Sequence, residues 1–187
     1  MGIKTESINL NATSVWAIVS LAVALIGTVG SLYLSIGMGL KACPLCFYQR
    51  SFVMATLAVL AIGLSVDRSK SGLICLLCLP LAVTGLGVAA YHEYLVVAGH
   101  LECPQGLFGL GTSPIQSMAL FIALAISIGL GARWTIPAVA GSIALGLALA
   151  WGCLASAPPM PPAPVKPYDQ PPEICRPPYR PTSAIGE

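Results

Sequence analysis

Cys43-Pro44-Leu45-Cys46-Phe47-Tyr48-Gln49-Arg50 leads directly into Ser51–Ser65, fifteen residues without a charged side chain. A Cys-x-x-Cys pair followed by so long an apolar run predicts a dithiol at the mouth of a membrane helix. The partial positive charge of a helix N-terminus favours thiolate over thiol, and the short spacing keeps both sulfurs within bonding reach. Arg50 follows Cys46 by four residues and so shares its helical face, one turn deeper. Charge inside lipid is costly and marks a functional position. An arginine there suits a thiolate or the carbonyl of an electron acceptor.

The rest of the chain is of the same character. Of its 187 residues 56% are hydrophobic and 9% are charged, where a soluble domain carries about 25% charged residues. The chain therefore reads as an integral membrane protein. With a net charge of +2 and no basic patch interleaved with aromatics, nucleic acid is excluded as a partner. A bilayer core asks for about 20 apolar residues per helix. Five stretches meet that length: 14–34, 47–65, 73–91, 115–132 and 135–155. The first is too long for the apolar core of a cleavable signal and is expected to remain as a span. Arg133-Trp134 divides the last two, which together are long enough for two crossings. The expected fold is all-α, a four-helix-bundle core with a fifth transmembrane helix in residues 1–156. Residues 157–187 hold eleven prolines and predict an extended, loosely ordered tail.

Parity organises the seven cysteines. Cys43 and Cys46 follow span one, Cys103 follows span three and Cys175 follows span five, so five crossings place all four on one side. Cys75 and Cys78, at the start of span three, fall on the other. Lys4, Arg68, Lys70 and Arg133 on one side stand against Lys41, Arg50 and Lys166 near the span ends on the other, a thin positive-inside bias. Stable disulfides belong outside the cytoplasm. The expected orientation puts the N-terminus in the cytoplasm and the four cysteines and the tail in the periplasm of a bacterial inner membrane.

Cys43-Pro44-Leu45-Cys46 with Gln49-Arg50, between a first and a second span, resembles the disulfide bond formation protein B family, DsbB. The resemblance covers about residues 14–115 in layout. It implies a membrane thiol:quinone oxidoreductase that reoxidises a soluble periplasmic thioredoxin-like oxidase of the DsbA kind. It further implies that Cys43 and Cys46 form the redox pair beside a bound quinone (ubiquinone or menaquinone), with Cys46 as the thiolate facing it. Arg50 matches the quinone-site arginine, and Cys103 the loop cysteine that forms a mixed disulfide with the partner. Gln49, Tyr48 and His92 are placed to add polar contacts to the quinone, and no metal is expected. One departure from the pattern concerns the second loop cysteine, which familiar members carry in the same loop as the first. Here its candidate is Cys175 in the Pro-rich tail, giving Cys103–Cys175 as the second disulfide. Cys153, near the end of span five, competes for that place.

Each assignment has a structural rival. Cys43–Cys46 would be a helix-capping disulfide, Arg50 a side chain snorkelling to headgroups, and Cys103–Cys175 a clasp for the tail. His92 and His100 would be interfacial polar residues, and Cys75 and Cys78 small packing residues. A zinc site shared by the two Cys-x-x-Cys pairs is excluded, since a full span of about 30 Å separates them. Gly106–Gly111 lacks the strand and Gly-Lys-Ser/Thr of a nucleotide loop and suits a tight re-entry into span four. Two other functions fit less well: a vitamin K epoxide reductase-like enzyme, and a non-enzymatic membrane protein whose outer thiols bind copper or zinc.

Overall fold

A computed structural model describes residues 3–132, 135–159, 162, 164 and 166–179, with side chains from residue 13 onward. Arg133 and Trp134 lie outside the described residues. The chain folds into helices α1 (Ile3–Ile36), α2 (Pro44–Val66), α3 (Ser71–Val97), α4 (Ser113–Gly131) and α5 (Ile136–Ser156). All five are long and apolar enough to cross a membrane. The protein is an all-α membrane protein.

The helix boundaries follow from local chemistry. Proline stands in the first turn of α2, α4 and α5, where its missing N–H costs nothing. After α2 the Asp67 carboxylate accepts from the backbone N–H (3.0 Å) and hydroxyl (2.6 Å) of Ser69. This caps the 3₁₀ turn Arg68–Lys70 that reverses the chain into α3.

Helix α3 is the axis of the bundle. Half of its apolar window is buried, against 17% for α5. It packs on α2, α4 and α5, while α1 closes the core against α2 and α4. Thus α1–α4 form the four-helix core and α5 lies outside it, against α3. Two close approaches set that packing. Gly85 of α3 faces the Phe121 ring of α4, and Gly146 of α5 faces Val83 and the Pro80 carbonyl of α3. Small residues let membrane helices approach closely where no hydrophobic driving force separates protein from lipid. The Thr84 hydroxyl, fully buried, lies 2.7 Å from the Pro80 carbonyl of α3 and 3.0 Å from the Gly146 carbonyl of α5, and shares its one proton between the two helices. A Cβ at Gly85 would overlap the Phe121 ring. Gly85→Ala is therefore expected to destabilise the bundle by about 1–3 kcal/mol, the usual cost of overpacking, read as a lower unfolding midpoint in detergent.

Two features depart from the sequence reading. Helix α3 runs six residues beyond Tyr91, where the expected span ends, so His92 and Glu93 are helical. His92 finds its partners inside the protein. The described part of the tail holds no helix, and it is held in place. Glu102 and Arg176 form an antiparallel bridge, N–H to carbonyl at 2.8 and 3.0 Å. The Lys41 N–H donates to the Glu173 carbonyl at 2.9 Å. The tail thus crosses both the α1–α2 and the α3–α4 connections.

Candidate redox site

The start of α2 fixes the first two sulfurs. Cys43 is the N-cap, and its Sγ accepts the Cys46 backbone N–H at 3.2 Å. The side chain of Cys46 turns back on the same helical turn, bringing Sγ to 2.8 Å from Cys43 Sγ. Both are free thiols, with Cys43 buried and Cys46 half-buried. The Cys46 side chain beside it holds the Cys43 thiol well below the ordinary cysteine range, and His92 adds to the effect against the opposing influence of burial. The N-cap position thus favours thiolate character at Cys43. The resemblance assigns the thiolate to Cys46. The N-terminus of α2 favours Cys43 because the N-cap side chain is the one that receives the free N–H.

The extension of α3 supplies His92, which is fully buried. Its Nδ1 lies 3.2 Å from Gln49 Nε2, one turn above Leu45 in α2. Its Nε2 faces sulfur on two sides, Cys103 Sγ at 3.5 Å and Cys43 Sγ at 3.9 Å. A disulfide joins Cys103 and Cys175, with Cα atoms 4.1 Å apart. The tail carries Cys175 to this point because Arg176, next in sequence, is anchored twice. Its guanidinium pairs with the Glu102 carboxylate and lies 3.5 Å above the Tyr168 ring. Cys43 Sγ, Cys46 Sγ, His92 Nε2 and Cys175 Sγ all lie within 4.8 Å of one another. Cys153 packs at the edge of the same cluster and is a free thiol. Cys75 and Cys78 are buried in the other core cluster and take no part.

Beside Cys46 opens a cleft of about 170 Å³ between α1, α2 and α4. Cys46, Gln49, Arg50 and Cys175 line it together with apolar residues such as Val53 and Leu120. Arg50 does not reach away to the headgroups. Its Nε donates to Ser31 Oγ at 2.9 Å and its Nη2 to the Ser31 carbonyl at 3.1 Å, with a further bond to Ser35 Oγ. These three bonds leave guanidinium N–H groups free for the cleft. Ser31 and Ser35, two small polar residues four apart in an apolar span, form a polar stripe whose partner is Arg50. His92 and Tyr48, expected beside the cleft, do not line it. His92 turns to the sulfurs, and Tyr48 packs in the cluster around Leu45 and Val88.

A disulfide, a neighbouring pair of thiols and a buried histidine thus lie together beside the start of a membrane-spanning helix. The sequence profile of the family Disulfide bond formation protein DsbB matches residues 12–119. The chain belongs to that family. It is 33% identical over 118 residues to the "Probable disulfide formation protein" of Chlamydia trachomatis, covering 58% of this chain and 85% of that protein. A protein of the same name from Metapseudomonas resinovorans is 30% identical over 119 residues, covering 57% and 80%. "Probable disulfide formation protein C" of Bacillus cereus is 32% identical over 114 residues, covering 54% and 80%. No solved structure matches the chain. Cys43, Cys46, Arg50, His92 and Cys103 lie inside the family match, whereas α5 and Cys175 lie beyond it. The protein has a role in disulfide formation.

Proposed function

We propose that this protein is a thiol:quinone oxidoreductase that reoxidises a soluble thioredoxin-like dithiol protein and passes the electrons to a membrane quinone. The observation that carries this reading is the placement of Cys175 Sγ within 4.8 Å of both sulfurs of the Cys43/Cys46 pair. Two redox pairs so close can exchange, and one of them opens on a cleft in the membrane-spanning region.

The steps are thiol–disulfide exchanges. A partner thiolate attacks Cys103 Sγ, breaking the Cys103–Cys175 bond and releasing Cys175 as thiolate. The second partner thiol resolves the mixed disulfide, so the partner leaves oxidised and Cys103 is left as a thiol. Cys175 then attacks Cys43 of the Cys43–Cys46 disulfide. Cys46 leaves as a thiolate one turn from the Arg50 cation. Cys103 displaces Cys43 from Cys175, which restores Cys103–Cys175 and leaves Cys43 and Cys46 reduced. His92, between Cys103 and Cys43, accepts a proton from one thiol and returns it to the other.

The cleft fits a quinone head group: its walls are apolar, Cys46 stands at its side and Arg50 keeps N–H groups free toward it. Arg50 and Gln49 would hold the carbonyl oxygens. When bound, a quinone supplies the oxidising power by taking two electrons and two protons from the dithiol. The polar anchors on Arg50 come from α1, so the cation is positioned before any ligand arrives. Arg50→Lys keeps the charge and loses the forked donors to Ser31 and Ser35. It is expected to raise KM for quinone about tenfold or more with a smaller change in kcat, read from quinone absorbance at varied concentration.

The reading puts the cysteine end of the bundle and the tail in the periplasm, where the partner dithiol is found. Its test is anaerobic turnover of the detergent-purified protein with a reduced thioredoxin-like dithiol and a short-chain quinone. One quinol per partner disulfide is expected. Thiol oxidation without quinol, or reduction of a quinone epoxide in preference to oxidation of the partner, would overturn it.

A further inference from the structure

We propose that the fully reduced protein binds one zinc ion, or another soft divalent cation, between Cys43, Cys46, His92 and Cys175. The proposal uses the thiols of the relay but does not depend on a quinone as their oxidant.

Four potential ligand atoms, three sulfurs and one imidazole nitrogen, lie within 4.8 Å of one another at the end of α2. Zinc takes four such ligands as a tetrahedron, with Zn–S about 2.3 Å and Zn–N about 2.0–2.1 Å, which sets S···S edges near 3.8 Å and S···N edges near 3.5 Å. Cys43 Sγ is 3.9 Å from His92 Nε2, about 0.4 Å beyond such an edge. The two sulfurs of the Cys-x-x-Cys pair, 2.8 Å apart, must open by about 1 Å, a change within reach of a small rotation of the half-buried Cys46 side chain. The second sphere is present as well. Zinc ligation by Nε2 requires the ring proton on Nδ1, and Gln49 stands 3.2 Å from that atom. With its amide turned so that oxygen faces the ring, Gln49 accepts that proton and fixes the tautomer. Three thiolates, a neutral imidazole and Zn²⁺ sum to one negative charge. The N-terminus of α2 and Arg50, which pairs with no carboxylate among the described residues, face that charge.

The site is gated by redox state. Cys175 ligates as a thiolate only after the Cys103–Cys175 bond has taken up two electrons, and Cys43 and Cys46 only after theirs has taken up two more. The protein with both disulfides formed has none of the three sulfur ligands. The ion therefore collects where reduced partner is plentiful and oxidant is lacking. Bound there, it occupies the lone pairs of the sulfurs that would attack and blocks exchange until it is removed. Cys103 is left outside the ligand set, a free thiol next to a closed relay.

The test is optical and needs neither partner nor quinone. The full chain in detergent is reduced anaerobically with a phosphine, freed of reductant and titrated with Co²⁺. Thiolate-to-cobalt charge-transfer bands and tetrahedral d–d bands are expected to saturate at one ion per chain and to disappear on addition of zinc. Cys175→Ser is expected to weaken binding about 100-fold or more, while Cys103→Ser and the double variant Cys75→Ser/Cys78→Ser bind as the parent does. Protein with both disulfides formed is expected to show no bands. Absence of bands in the reduced parent, or equal loss in Cys103→Ser and Cys175→Ser, would overturn the site. A chain that reduces quinone yet gives no cobalt bands refutes the metal site and leaves the relay standing. Cobalt bands in a chain that reduces no quinone support the metal site and count against the relay's oxidant instead.

Discussion

Cys46→Ser is expected to stop turnover and to trap a bond between Cys43 and Cys175. On the proposed relay, Cys46 is the thiol that resolves a bond made by Cys43. Without that thiol, Cys43 has one disulfide within reach, the one that contains Cys175 Sγ, no more than 4.8 Å away. Attack there forms Cys43–Cys175 and releases Cys103 as a thiol. The serine hydroxyl still donates to the Cys43 sulfur, so the helix end keeps its shape and the effect is chemical. Turnover should fall on the order of 10³-fold or more, as when the nucleophile of a covalent mechanism is removed. Mass spectrometry of alkylated, non-reduced protein reads the linkage. A free Cys43 beside an intact Cys103–Cys175 bond would show that the two pairs do not communicate directly.

His92→Gln is the second large effect expected. The ring reaches sulfur on both sides, 3.5 Å to Cys103 and 3.9 Å to Cys43, and an amide keeps the volume while losing the titrating nitrogen. General acid–base assistance contributes typically 10²-fold or more, so exchange between the pairs should slow by about that factor. The pH profile separates this from a packing role. His92 is one of the groups that hold the Cys43 thiol low. Removing it raises that pKa, so the thiolate disappears at a higher pH as acid is added. The acid limb of the rate profile should therefore move toward neutrality in the variant. An unshifted profile with a uniformly lower rate would make His92 a packing residue only.

These two residues mark how far the sequence could be read. Cys43, Cys46 and Arg50 are legible because their relation is local: a Cys-x-x-Cys before an apolar run sets the helix start, and helical spacing puts the arginine on the same face. The five spans are legible from apolar length alone. His92 is not, because its orientation depends on the register of α3 against α2. The sequence shows a polar residue at the end of a span. The contact with Gln49 that lets the helix run on to Val97, and so turns the ring toward sulfur rather than the cleft, is tertiary. The position of the tail is likewise set by long-range contacts. Parity places Cys175 on the right side of the membrane, but its place beside Cys103 depends on the Glu102–Arg176 bridge and on Lys41 meeting Glu173. No periodicity announces those pairs. Ser31 and Ser35 lie between these cases, visible as a polar stripe yet without meaning until Arg50 is seen to reach them.

The most direct test of the relay is a rapid-quench alkylation experiment on the parent protein. Oxidised protein is mixed anaerobically with one equivalent of reduced thioredoxin-like dithiol, quenched over time, and each cysteine is scored by mass spectrometry. Without quinone, label is predicted to collect on Cys43 and Cys46 while Cys103–Cys175 closes again. With quinone present, that label should vanish as one equivalent of quinol appears. Label that stays on Cys103 and Cys175, with Cys43–Cys46 intact and the quinone unreduced, would contradict the account.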